Sequence, residues 1–354
     1  MSALRVAIVG CGKISVNHAT AVHAFQDAEL TAFCDPELGR AEALRDRFGT
    51  GAVYSDFSTL LAEQSPDVVC ICTPHPTHEK LVLEAVAAGA HVLCEKPLAV
   101  ELDSAQRMID AARDAGVRLG VLFQRRYWPA ARRIRAAIDD GLFGTPVLGE
   151  CTVQLGRDRA YFEADAWRGK WSTEGGGVLM NQGIHYIDLL QWFLGPARTV
   201  TGHISTFRHG DYIEVEDTAV ATVEFTSGAL ATIRATSIAA PGLGARVSVT
   251  GDNGATASIT EFPEGQPACN DVWAVPGQEE YTLPWDPAID SDPPLSAIHE
   301  RLMPYHRLQV EEFLTAIAAD RAPEIDGVSA SHALQIVQAI YESSRTGRKV
   351  RLAD

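Results

Sequence analysis

The sequence contains no run approaching the roughly 18 consecutive apolar residues that a membrane-spanning helix needs. It also opens without a signal-peptide pattern, passing from Met1 almost directly into the strand-like stretch Leu4 to Val9. Both absences lead us to expect a cytoplasmic protein. Positive charge is scarce: 30 Lys and Arg stand against 46 Asp and Glu, a formal net charge of −16. Such a surface field repels phosphate backbones and anionic headgroups, so no nucleic acid and no membrane is expected as a partner. The seven cysteines (Cys11, Cys34, Cys70, Cys72, Cys94, Cys151 and Cys269) include no CxxC pair and mostly sit in apolar runs. Reduced core thiols are expected, and no metal site.

What is present is ample apolar material. The 354 residues are 46% hydrophobic and 21% charged, enough for about two packed domains. In the first third, apolar strand-like runs alternate with helical ones. Leu4–Val9, Leu30–Cys34, Val53, Val68–Cys72, His91–Cys94 and Leu119–Phe123 are separated by helices expected at 16–25, 37–48, 57–62, 79–88 and 102–115. This alternation predicts a parallel sheet with helices on both faces. The first strand stops at Gly10-Cys11-Gly12-Lys13-Ile14-Ser15 and a helix follows, so backbone N–H groups and the positive helix end can hold a pyrophosphate. Ser15 replaces the third glycine of that pattern. Asp35 ends the second strand, where a carboxylate accepts hydrogen bonds from an adenosine ribose and repels a 2′-phosphate. NAD is therefore expected in preference to NADP, with nearby Arg40 as the residue that could pair a phosphate.

Two further stretches carry chemistry. Lys96 follows the buried strand His91–Cys94 at the carboxyl edge of the sheet, flanked by Glu95, which can hold its ammonium, and by Pro97, which aims it; a cis Lys96–Pro97 bond is expected. The neighbouring strand ends in Thr73-Pro74-His75-Pro76-Thr77-His78, whose histidines would lie beside the nicotinamide. Later, Glu174-Gly175-Gly176-Gly177 breaks the chain before a helix from about Val178 to Leu194. On it Asn181, His185 and Asp188 share the face opposite an apolar stripe, Asp188 being either a support for His185 or an exposed carboxylate. Arg126, Arg157, Tyr161, Trp167 and Arg168 could bind a hydroxyl-rich or anionic ligand, the alternative being core aromatics and surface ion pairs.

The GCGKIS turn, Thr73-Pro74 with His78, Glu95-Lys96-Pro97 and the helix GGGVLMNQGIHYIDLL together resemble the Gfo/Idh/MocA family of sugar and inositol oxidoreductases, over about residues 6–350. Gln124-Arg125-Arg126-Tyr127, Trp167-Arg168-Gly169 and Met180–His185 look closest to UDP-N-acetylglucosaminuronate 3-dehydrogenases and related sugar 3-dehydrogenases. The resemblance implies an α/β protein: a Rossmann NAD-binding domain, 1–124, and an α+β domain with a large, mostly antiparallel open sheet, 125–354, that binds substrate and forms oligomers. Around the cofactor it implies Gly10, Gly12, Lys13, Ile14 and Asp35 at one end, and Thr73, Pro74, His75, His78, Glu95, Lys96 and Gln124 at the other. Lys96 and His185 would flank the reacting carbinol. Lys96 would donate to its oxygen and His185 exchange its proton. Many members carry Asp where this chain has Asn181, so here an amide would orient the ring or the substrate. Lys96, Arg126, Arg157, Tyr161, Trp167, Arg168, Asn181 and His185 would meet the sugar or inositol. A catalytically silent NAD(P)-binding regulator is the alternative, which needs neither Lys96 nor His185.

The second domain is expected to carry strands at 147–153, 199–206, 218–225, 229–238 and 245–250, an irregular excursion at 263–294, and closing helices at 307–319 and 331–344. One face of the hairpin 218–236, bearing Thr218, Val220, Thr222 and Glu224 with Leu230, Thr232, Arg234 and Thr236, is flat and lightly charged. It suits a subunit interface, so a homodimer or homotetramer is expected.

Overall fold

The computed structural model describes residues 3–278, 280–281 and 294–352. Its contacts divide the chain into two compact units, 1–124 with 303–331, and 125–302 with 332–354. The first unit thus takes back a stretch near the C-terminal end, which a linear division after residue 124 does not capture.

In the first unit β1 (Leu4–Val9), β2 (Ala28–Cys34), β3 (Ala52–Tyr54), β4 (Val68–Ile71), β5 (His91–Cys94) and β6 (Leu119–Val121) form one sheet in the order β3-β2-β1-β4-β5-β6, every pairing parallel. The helices α1 (Ser15–Ala24), α2 (Leu38–Phe48), α3 (Phe57–Gln64), α4 (His78–Ala87) and α5 (Leu102–Asp114) connect them. The order reverses between β1 and β4, which opens a crevice at the carboxyl ends of those strands. Central strands covered on both faces need continuous apolar sequence, and Val68 to Ile71 are all fully buried. The core extends to Val310, Phe313 and Leu314 of the helix Leu295–Ala318. A Cβ on Gly120 of β6 would lie 2.7 Å from the Phe313 ring, so the missing side chain leaves that ring its seat.

The second unit holds α6 (Pro129–Asp139), β7 (Pro146–Gln154), α7 (Arg159–Glu163), α8 (Ile184–Leu194), β8 (Ala197–Ser205), β9 (Thr218–Phe225), β10 (Leu230–Thr236), β11 (Gly244–Gly251), β12 (Thr256–Glu261), β13 (Val272–Ala274), β14 (Glu280–Tyr281) and β15 (Val350–Arg351). Portions of α9 (Leu295–Ala318, the helix above) and α10 (Gly327–Thr346) belong to each unit. The nine strands run β14-β13-β12-β11-β7-β10-β9-β8-β15, with β7–β10 the one parallel neighbour pair. The expected strands are all present, within one to two residues at most ends. The Pro263–Pro294 stretch is less irregular than expected, since it carries β13 and β14; residues 282–293 lie outside the described ones.

Alternation sets the two sheet faces. Ala219, Ala221, Val223 and Phe225 are buried, while Val220 and Leu230 are 48% and 56% exposed. Thr222 stands opposite Thr232, and Val220 opposite Arg234.

Phe313→Ala should lower unfolding stability by about 3–5 kcal/mol, and Leu308→Ala, on the exposed side of the same helix, by at most about 0.5 kcal/mol. Urea unfolding followed by circular dichroism measures both, and equal costs would show that 303–331 does not complete the first core.

Candidate active site

The turn after β1 is shaped by what a side chain would strike. Gly10 has φ 85°, and a Cβ there would sit 2.7 Å from Thr73 Cγ2 and 2.8 Å from the Cys72 carbonyl carbon, so only glycine lets the turn lie against the end of β4. A Cβ on Gly12 would meet nothing within 4 Å, which leaves room for a phosphate. Ser15, at the third glycine position, donates from Oγ to the Gly12 carbonyl at 2.5 Å and ties the turn to the start of α1. The buried Asp35 carboxylate accepts the Cys11 and Glu37 N–H groups, each at 2.9 Å. A fixed carboxylate beside the turn can still accept ribose hydroxyls, and it repels a 2′-phosphate. Arg40 pairs instead with exposed Glu37 at 2.8 Å. Lys13 is exposed, and Ile14 packs on the core. The buried Gln124 Oε1 has no hydrogen-bond partner among the described residues, an acceptor that a bound group can satisfy. Turn, carboxylate and acceptor fit a dinucleotide.

Lys96 follows β5, and its bond to Pro97 is cis. The preceding carboxylate has a different first partner from the expected ammonium: Glu95 Oε1 lies 2.9 Å from His18 Nε2 of α1 and 4.0 Å from His306 Nε2 of α9. Burial pushes Glu95 up, but the His18 hydrogen bond and the charges of His18, His306 and Lys96 prevail and hold it down at about 2. His78 is fully buried, with Nδ1 2.9 Å from the Pro97 carbonyl oxygen and Nε2 2.9 Å from that of Thr73, and so ties two strand-end turns together. Burial is also the main reason its basicity is depressed, against the pull of those carbonyls. His75 is buried beside it.

In the second unit the helix bearing Asn181 and His185 starts as a π turn, Leu179–Gly183, before α8. Its entrance approaches other backbone closely: a Cβ on Gly177 would lie 1.8 Å from the Glu216 carbonyl oxygen. The Glu216 carboxylate, 1% exposed, accepts from Gly177 N at 2.8 Å, Leu179 N at 2.9 Å and Tyr341 Oη at 3.0 Å. Burial raises it to about 7, against the lowering effect of these donors. Asn181 Nδ2 donates to Glu174 Oε1 at 2.5 Å and to Tyr161 Oη at 3.2 Å. Gln182 Nε2 reaches the same phenol oxygen at 2.9 Å, and Arg168 donates to it as well. The Arg168 guanidinium lies over the Tyr161 and Trp167 rings.

Three expectations change here. The helix is not amphipathic, because Asp188 is fully buried. Arg126 does not await an anionic ligand, since it grips Asp188 through Nη2–Oδ1 at 2.5 Å and Nε–Oδ2 at 2.7 Å. Arg157 likewise binds Glu264 at 2.8 Å. Glu174, Gln182 and Glu216 were not singled out from sequence; Glu174 adjoins the glycine run, but Glu216 had only its place in the acidic stretch Glu214-Val215-Glu216-Asp217 as a signal. Among the described residues no group of three or more His, Cys, Asp or Glu is placed to hold a metal ion.

Residues 4–123 match an oxidoreductase family with an NAD-binding Rossmann fold, and residues 131–257 match the GFO/IDH/MocA C-terminal domain. The D-glucoside 3-dehydrogenase of Escherichia coli is 30% identical across 99% of this chain and 98% of that protein. The myo-inositol 2-dehydrogenase of Thermotoga maritima is 29% identical across 71% of this chain and 74% of that protein. Among solved structures, the WlbA dehydrogenase from Bordetella pertussis, crystallised with NADH and UDP-GlcNAcA, superposes with a TM-score of 0.84 at 30% identity over 99% of both chains.

Glu216 makes stability depend on pH. A carboxylate at about 7 in the folded chain, against an ordinary 4.5, binds more proton folded than unfolded between those values. Stability is therefore greatest below 4.5 and falls as pH rises through 7, by up to about 1.4 kcal/mol per pH unit. Glu216→Gln should flatten the thermal midpoint between about pH 5 and pH 8 relative to the parent. Parallel pH profiles for the two proteins would assign the carboxylate an ordinary titration.

Proposed function

The chain belongs to the Gfo/Idh/MocA oxidoreductase family, and from that premise we propose the residues by which it oxidises a secondary hydroxyl of a sugar, sugar derivative or inositol. The class of reaction follows from relatives matched over nearly the whole chain. NAD, when bound, supplies the hydride acceptor. Lys96 Nζ donates to the substrate oxygen and stabilises the developing alkoxide. The His185 imidazole takes the hydroxyl proton as general base. Asn181 orients the ring. Gly10, Gly12, Asp35 and Gln124 hold the dinucleotide. Keeping both Lys96 and His185 favours an enzyme over the silent regulator.

One observation narrows the substrate. Arg126 and Arg157 are each bound to a buried carboxylate, and Arg168 is engaged by Asp165 at 3.0 Å. A neutral, hydroxyl-rich ring such as a glycoside or inositol therefore suits this unit better than a uronate. Assays of NAD reduction across inositols, free sugars, glycosides and UDP-sugars test that ranking. With the substrate so found, Lys96→Ala and His185→Ala should each lower kcat by about 100-fold to 10,000-fold while NAD binding changes little. Near-normal turnover by either variant would remove that residue from the mechanism.

For assembly, the exposed sheet face around Thr222 and Thr232 supports a homodimer, or a tetramer of two such dimers. Thr222→Arg/Thr232→Glu should shift the species seen by light scattering toward a monomer at micromolar concentration. A wild-type monomer under the same conditions would remove the interface.

A further inference from the structure

The glycines that precede the helix of Asn181 and His185 make room for two side chains of the same unit. A Cβ on Gly176 would lie 2.0 Å from the Tyr341 hydroxyl oxygen, and one on Gly177 would lie 1.8 Å from the Glu216 carbonyl oxygen. What those two residues do there follows from the backbone. Four successive N–H groups, of residues 177 to 180, precede the first helical bond, which runs from Asn181 N to the Gly177 carbonyl at 3.0 Å, and such groups need partners from outside the helix. Gly177 N donates to Glu216 Oε2 at 2.8 Å, Val178 N to the Glu216 carbonyl at 3.2 Å and Leu179 N to Glu216 Oε1 at 2.9 Å. The Met180 N–H acts on the Tyr341 oxygen, whose own proton goes to Glu216 Oε1 at 3.0 Å. Two residues from distant segments thus meet all four. Glu216 is itself held in place, since Asp217 N donates to the Ser205 carbonyl at 3.1 Å and the Asp217 carbonyl accepts from Ser237 N at 2.9 Å.

We propose that Glu216 and Tyr341 are positioning residues for the reaction: together they set the helix start from which Asn181 follows, and His185 one turn on, and they hold it fully only while Glu216 is ionised. The proposal rests on His185 as the proton acceptor of the preceding subsection. An ionised carboxylate accepts from all three of its donors, whereas a carboxylic acid carries a proton that must itself be donated. On Oε2 that proton faces the Gly177 N–H; on Oε1 it faces the Leu179 N–H and displaces the proton of Tyr341. Either way a contact to the first turn is lost. Burial raises Glu216 to about 7, so the helix start tightens as pH rises through neutrality. This is opposite to the trend in stability, because the proton that relieves the buried charge also loosens the turn. Among titratable side chains, Tyr341 of α10 faces Glu216, Glu174 acts on that phenol, and the neighbouring Asp217 is turned to the N–H groups of Phe207, Arg208 and His209. On the helix itself the first such group is His185.

Glu216→Gln offers one acceptor oxygen in place of two and so fixes the loosened state at every pH. With the substrate found in the NAD-reduction assays, kcat/KM of the parent should exceed that of Glu216→Gln by about twofold or less at about pH 5.5 and by about tenfold at about pH 8.5, with NAD binding within about threefold. The ratio cancels whatever His185 and the substrate contribute to both profiles. Tyr341→Phe removes a donor to the ionised form, so the rise in its own profile should move to higher pH by about half a unit or more. Parallel profiles for the parent and Glu216→Gln, or a Tyr341→Phe profile that stays in place, overturn the proposal; if the glutamine variant does not fold, the phenylalanine variant decides alone. Near-normal turnover by His185→Ala removes the acceptor on which the proposal rests. A parent that reduces NAD with no sugar, glycoside or inositol rejects the functional reading and this proposal with it.

Discussion

A carboxylate taken out of water is tolerable only where donors replace its hydration, and the second unit is organised by that requirement. Glu216 draws in the N–H groups of Gly177 and Leu179 and the Tyr341 hydroxyl. Glu174 draws in Gly169 and Asn181, Asp188 draws in Arg126, and Glu261 draws in Arg125, Tyr186 and Gly265. The demands of Glu216, Asp188 and Glu261 join segments distant in sequence. All four reach the helix of Asn181 and His185: one at its first turn, one at Asn181, one at Tyr186 and one a turn beyond His185. The helix is therefore located by charge satisfaction as much as by its apolar contacts.

The first unit uses the same device at Asp35, which takes two backbone N–H groups, and at Glu95. There α1 and α9 supply His18 and His306 to a carboxylate adjacent to Lys96. The Glu95 charge is thus anchored from two helices, and the neighbouring Lys96 ammonium adds to their compensation.

The strand–turn–helix at Gly10 was readable because each step leaves a local mark: apolar β-branched runs, a glycine turn, a carboxylate closing the second strand. The hairpin of β9 and β10 was readable for the same reason, since alternation fixes which face is buried. The arginines were not. Nothing in the spacing of Arg126 or Arg157 distinguishes a ligand-binding guanidinium from one that answers a buried Asp188 or Glu264, because the partner is chosen by tertiary proximity. The roles of Glu174 and Glu216 were hidden likewise. The face assigned to Asp188 failed because a helix enclosed on all sides shows no polar side, and the π turn shifts the register that a 3.6-residue period assumes.

The return of residues 303–331 to the first unit has a consequence for how the chain is made. On a ribosome, β1 to β6 emerge long before Val310, Phe313 and Leu314, with the whole of residues 125–302 in between. The first unit must wait, its sheet lacking the apolar cover of that helix, until residues 125–302 have been synthesised. Contacts of such long sequence separation are late and slow to form. Both units thus finish only near the end of synthesis, since residues 332–354 complete the second, and the exposed parallel sheet of the first is, in the meantime, the point at which a chaperone has most to offer.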